Sequence, residues 1–104
     1  MKELKNFQKK YLKGLAHNLK PVVFLGQNGV SMNFIESVNQ ALEKHELIKI
    51  KFVDYKEKEF KSQISETIIN ETKAFFVGLI GHTLILYRQS SNEKNRKIKL
   101  PQNE

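Results

Sequence analysis

Hydrophobic positions recur at helical spacing between residues 3 and 17, where Leu4, Phe7, Tyr11 and Leu15 form a stripe and Lys2, Lys5, Lys9 and Lys13 fall on the opposite side. The spacing predicts a docked amphipathic helix with a basic outer face. A helix face laid out for stability alternates charge signs at i, i+4, and four aligned lysines do not, so this face is a candidate phosphate track. Pro21 ends the helical region, because the residue before a proline is pushed out of the α conformation. Val22, Val23, Phe24 and Leu25 then make a short continuous apolar run of the kind buried on both faces. After Gly26-Gln27-Asn28-Gly29, Ser31 is placed to cap a second helix whose core face is Phe34, Ile35, Val38, Ala41 and Leu42. Leu47 to Val53 alternates, with Ile48, Ile50 and Phe52 on one face and Lys49 and Lys51 on the other. Asp54 followed by Glu57 suggests a third helix start, continued by a stripe of Phe60, Ile64 and Ile68. Two β-rich runs, Ala74 to Ile80 and Thr83 to Arg88, flank Gly81-His82, a pair suited to a type II′ hairpin turn. The remainder, 89–104, is polar and basic at Arg96, Lys97 and Lys99; it is expected to be partly disordered, with Ile98 and Leu100 as its anchors.

The predicted order is αβαβαββ, an α/β chain of the two-layer α+β kind with a four-stranded mixed sheet and helices packed on it. Two crossovers align the first three strands parallel, and the closing hairpin sets the fourth against the third. The first strand reads as buried on both faces and the second as wet on one, so the first helix is expected to cover only part of the far face. A length of 104 residues with 39% hydrophobic content suits one core, giving a single domain over 1–88 and a basic tail over 89–104. There is no cysteine, so thiolate metal sites and disulfides are excluded. No apolar run approaches the ~20 residues that span a bilayer. A cytoplasmic protein with no membrane partner is the expectation.

Charge sharpens the picture. The net charge is +7, but residues 1–20 carry +5, residues 21–73 carry −1 and residues 74–104 carry +3. A balanced middle between basic ends is the footprint of a polyanion binder. Sixteen of the 18 basic residues are lysine, which contacts phosphate as a point charge rather than reading guanine bidentately. The loop Gly26-Gln27-Asn28-Gly29 adds a second phosphate signal, since a glycine-bracketed turn entering a helix exposes backbone N–H groups beside the helix's positive end. Enzymatic sites are not visible. His17, His45 and His82 are scattered, no lysine follows the glycines in P-loop fashion, and Glu43 and Glu46 lie one turn apart on a wet face. No cofactor, metal or small-molecule substrate is expected. Nor is a DNA-reading helix, for want of helix-turn-helix spacing.

Four ordered motifs carry a resemblance. They are the stretch from Leu12 to Val23 (LKGLAHNLKPVV), the loop Gly26 to Ser31 (GQNGVS), the run His45 to Lys51 (HELIKIK) and the close from Gly81 to Arg88 (GHTLILYR). Together they resemble the CRM domain, the chloroplast RNA splicing and ribosome maturation family, in its stand-alone bacterial YhbY-type form. A weaker echo continues over Arg96 to Pro101. The resemblance implies an RNA-binding module with a fold similar to the C-terminal domain of translation initiation factor three. It also implies association with precursors of the large ribosomal subunit, in an assembly-assisting role with ribosomal RNA as the partner; a monomer is the expectation for the chain itself. Carried over to this chain, Gly26 and Gly29 are the bracket of an RNA-clamping loop, with Gln27 and Asn28 at its centre. Family members often place a lysine inside the loop; this chain does not, which leaves charge to Lys20, Lys49, Lys51 and Arg88. The expected contact set is then the loop, these four residues, and Lys5, Lys9 and Lys13 of the first helix. Tyr11 and Tyr87 are candidates to stack on a base. The alternative is an assembly factor that docks through a ribosomal protein or another maturation factor.

Overall fold

The structure, a computed structural model, describes residues 3–55 and 57–103; Lys2, placed by periodicity on the basic helix face, lies outside them. The elements are α1 (Asn6–Ala16), β1 (Val23–Leu25), α2 (Met32–His45), β2 (Leu47–Phe52), α3 (Lys58–Thr72), β3 (Phe75–Ile80), β4 (Thr83–Tyr87) and a 3-10 turn at Glu93–Asn95. None of the helices among the described residues is long and apolar enough to cross a membrane.

Alternation along β2 sorts the two faces of the sheet. Ile48, Ile50 and Phe52 point into a core shared with Val38 and Leu42 of α2 and Ile68 of α3. Leu47 points the other way, into a second cluster with Leu12 and Ala16 of α1, Val77, Ile85 and Tyr87. α2 and α3 thus cover one face and α1 crosses part of the other. The sheet order is β1-β2-β4-β3, with β1 parallel to β2 and the remaining pairs antiparallel. The first three strands run in one direction, as expected, but β3 does not pair with β2: the hairpin inserts β4 between them. At its turn, Gly81 has φ +59° and His82 does not share the positive φ, the requirement of a type II′ turn. Lys61, buried in α3, donates from Nζ to the Gly81 carbonyl at 2.7 Å and lies 3.1 Å from His82 Nδ1.

Three sequence expectations shift in phase. In α1 the buried residues are Leu12 and Ala16, while Tyr11 and Leu15 are more than 40% exposed, because the apolar stripe reaches the sheet with only part of its arc. In α3 the buried line is Lys61, Ser65, Ile68 and Thr72, and Phe60 lies outside it. The helix starts from Glu57, not Asp54. In β1, Val23 and Leu25 are buried but Val22 and Phe24 are 47% and 58% exposed, because α1 packs on β2, β3 and β4 and leaves the β1 side of that face open.

The tail expected to be partly disordered is held to the domain. Glu46 ends α2 at φ +66°, an unfavourable backbone region for a residue with a side chain. Its carboxylate is fully buried and accepts the N–H groups of Ser90 (2.8 Å), Lys97 (2.7 Å) and Ile98 (3.2 Å). Gln8 of α1 donates to the Pro101 carbonyl at 3.1 Å, and Ile98 and Leu100 pack on the α1 side of the sheet, as their apolar character predicts.

Candidate nucleic-acid interface

The loop leaves β1 at its free edge. Gly29 N–H donates to the Gly26 carbonyl at 3.1 Å and Ser31 N–H to the Gly29 carbonyl at 3.0 Å, so the chain doubles back before α2. Gly29 has φ +68°, which explains a glycine there. Gly26 is different: a Cβ added to it would meet only Asp54 Oδ2, at 3.8 Å, an ordinary contact. Ser31 caps α2 by accepting the Phe34 N–H at 3.1 Å. Among the described residues, the N–H groups of Gln27, Asn28, Val30, Met32 and Asn33 have no acceptor. Of these residues, Gln27, Asn28 and Asn33 line a hollow together with Gly26, Gly29 and Phe24. Free amides at a helix N-terminus are where an anion is stabilised.

A brace that the sequence did not reveal holds this loop. Tyr55 Oη donates to the Gly26 carbonyl at 3.1 Å, and its ring stacks on Phe60 at 5.5 Å and meets Phe52 edge-on at 6.3 Å. Phe60, expected as core, thus serves the loop.

The predicted cations do not form one surface. Arg88 donates to Asn39 Oδ1 (2.8 Å), to the Thr72 carbonyl (2.5 Å) and to Glu43 Oε2 (3.1 Å), tying β4 to α2 and α3. Its charge is thus met within the fold by a carboxylate, an amide and a carbonyl. Glu43 is held below the usual carboxylate range by the hydroxyl and amide of Ser91 and, after these, by Arg88. Lys49 is also engaged, donating from Nζ to the carbonyls of Leu19 (2.9 Å) and His17 (3.4 Å), where cations suit the end of a helix. Lys9 lies over the Phe76 ring at 5.7 Å, and Lys13 crosses Gly78, whose absent Cβ would come within 2.8 Å of Lys13 Cε. Both line a groove at the β3 edge with Glu3 and Glu66, across the sheet from the loop; Lys5, exposed just ahead of α1, belongs to that side. They do not form a track leading to the glycines.

Lys51, exposed, remains on the strand next to the loop, paired in register with Phe24. Lys20 lines a separate groove at the other end of β1 with His45 and Lys97. Lys97 reaches that groove because Glu46 fixes its backbone, a link the sequence gave no spacing signal for. Tyr87 is not available to a base: it is 3% exposed and stacked on Phe75 at 6.4 Å, and burial raises its pKa. Tyr11 stays partly exposed on α1. Among the described residues, no group of three or more His, Asp and Glu is arranged to hold a metal ion.

Comparison with known proteins gives this geometry a context. The model of the CRS1 / YhbY (CRM) domain matches residues 4–88. A Haemophilus influenzae protein described as an RNA-binding protein is 48% identical over 101 residues, which are 97% of this chain and 98% of that protein. YqeI of Bacillus subtilis, described as a probable RNA-binding protein, is 35% identical over 94 residues, covering 90% of this chain and 95% of YqeI. The solution structure of a hypothetical Staphylococcus aureus protein, described as a candidate RNA binder, superposes with a TM-score of 0.78 at 34% identity, over 94% of this chain and 99% of that one. With a family model spanning most of its length and relatives matched nearly end to end, the chain belongs to the CRS1/YhbY (CRM) domain family.

Proposed function

We propose that this protein binds RNA through its backbone, with one or two phosphates received by the free amides of the Gly26–Gly29 loop and the α2 N-terminus. The observation that carries the proposal is the run of unpartnered N–H groups at Gln27, Asn28, Val30, Met32 and Asn33, along one braced loop and the helix start it enters, with the exposed Lys51 on the neighbouring strand. The RNA-binding descriptions of its relatives support the same ligand. Lys20 and Lys97 extend the contact at the far end of β1. The RNA in question is that of large-subunit precursors, and the protein assists their assembly; family membership supports this part.

Two measurements test it. Three lysine–phosphate contacts give log K falling by roughly 2 to 3 per decade of salt, so fluorescence anisotropy across a salt series has a defined expected slope, and a slope near zero refutes the backbone contact. Sucrose-gradient sedimentation of tagged protein, with and without ribonuclease, tests the ribosomal part. Co-migration with large-subunit precursors should vanish after RNA digestion; co-migration that persists would assign the contact to a protein.

A further inference from the structure

The face of the sheet left open by α1 carries apolar side chains in register. Phe24 on β1 is opposite Lys51 on β2, Lys51 is opposite Thr83 on β4, and Thr83 is opposite Ile80 on β3. Phe24 and Ile80, at the two ends of this row, are 58% and 60% exposed. Three interstrand steps separate them, about 14 Å. Val53, immediately beyond β2, is 56% exposed. Scattered exposed apolar residues are ordinary; here Phe24 and Ile80 share one row of one sheet face, with the exposed Lys51 and the half-exposed Thr83 between them.

The Phe24 ring has no aromatic partner among the described residues. Nor does its neighbour Lys51 make a cation–π contact with it; among the described residues that contact is made by Lys9 with Phe76. Phe24 is also among the residues that line the hollow of the Gly26–Gly29 loop. The four residues of the row include a lysine at the second position and no acid. An apolar protein partner laid on this row would bury the Lys51 ammonium at a cost, whereas a polyanion with flat apolar bases satisfies both kinds of residue. Aromatic rings flanked by cations are the means by which proteins hold single-stranded nucleic acid.

We propose that this row is a stacking platform for unpaired RNA, with a nucleobase on Phe24 and the adjoining phosphates on Lys51 and the loop amides. The proposal rests on the RNA-binding reading and deepens it, because it makes the ligand single-stranded rather than a duplex.

The test uses the full chain and two labelled probes, a 12-nucleotide single-stranded RNA and a blunt RNA duplex of the same sequence. Phe24→Leu keeps an apolar side chain and removes the ring. It should weaken binding to the single strand by about 5- to 100-fold with an unchanged salt slope and leave duplex binding unaltered, while Phe24→Trp should restore single-strand binding. The chain contains no tryptophan, so in Phe24→Trp the new indole is the sole reporter, and its emission should be quenched by the single strand. Because Phe24 is more than half exposed, both variants should melt within a few degrees of the parent, and quenching reads the contact independently of affinity. Single-strand binding that is equal in the parent and Phe24→Leu, with no quenching in Phe24→Trp, overturns the platform while leaving RNA binding intact, as does a parent that binds the duplex alone. A parent that binds neither probe removes the RNA reading itself. An emission shift that follows protein concentration without RNA would assign the face to a second copy of the chain and overturn the platform too.

Discussion

Replacing Glu46 with glutamine changes one oxygen to an amide and should detach the C-terminal segment. In the parent, Oε2 accepts the Ser90 N–H while Oε1 accepts those of Lys97 and Ile98, all at 2.7–3.2 Å and around a fully buried side chain. Glutamine keeps one acceptor oxygen, so the Lys97 and Ile98 bonds survive as neutral ones, each weaker by ~1 kcal/mol. Its NH2 faces the Ser90 N–H, donor against donor, which removes that bond and leaves a buried group unpaired at ~1–3 kcal/mol. Relief of the desolvation cost of a buried carboxylate offsets part of this, so the net loss should be about 2–4 kcal/mol. With a urea m value near 2 kcal/mol/M, the midpoint falls by about 1–2 M. Amide exchange at Ser90, Lys97 and Ile98 should accelerate in parallel. RNA affinity should fall as well, with a salt slope shallower by roughly 0.7–0.9, as Lys97 leaves the groove it shares with Lys20. A variant with its midpoint unmoved and these three amides still protected would refute the Glu46 tether as what holds the C-terminal segment to the domain.

The remaining predictions separate structure from contact. Gly29→Ala forces a side chain into φ +68° and should cost ~1–2 kcal/mol in thermal melting, whereas Gly26→Ala, with its nearest neighbour at 3.8 Å, should fold as the parent does; equal losses would show that the bracket is steric at both ends. Lys51→Gln should weaken RNA binding and lower the salt slope by about one contact without moving the melting temperature, while Arg88→Gln should destabilise by ~2–3 kcal/mol with an unchanged slope. The reverse pattern would return Arg88 to the interface. Glu43 titrates below its unfolded value, so the stability it contributes is complete above about pH 4.3 and is lost as the pH falls through its folded-state value. Glu43→Gln should therefore flatten the acid limb of a stability profile measured by urea melts between pH 2 and 6, and an acid limb as steep as the parent's would assign it to other carboxylates.

How far the sequence reaches depends on whether a property is local. Element order was legible because period 2 in β2 and period 3.6 in α2 are written along single segments, and the Gly81-His82 turn because its backbone conformation restricts the residue type. Helix phase was less legible: Leu15 and Phe60 satisfy a helical period, but which side of α1 or α3 meets the sheet is set by elements far along the chain. The same limit governs the site. Lys49, Lys51 and Arg88 are indistinguishable as exposed-strand cations in sequence, yet Lys49 faces the carbonyls at the end of α1, Arg88 faces Glu43 and Asn39, and Lys51 alone of the three stays open to a ligand. Phe24 is the converse case. A Val-Val-Phe-Leu run reads as core on both faces only if something covers both, and α1, drawn toward β3 by Leu12 and Ala16, leaves the outer face of β1 bare. The position of one helix therefore determines both where the Lys49 ammonium is engaged and which aromatic ring faces solvent beside the glycine loop, so a variant that redocks α1 should alter RNA binding without touching a single contact residue.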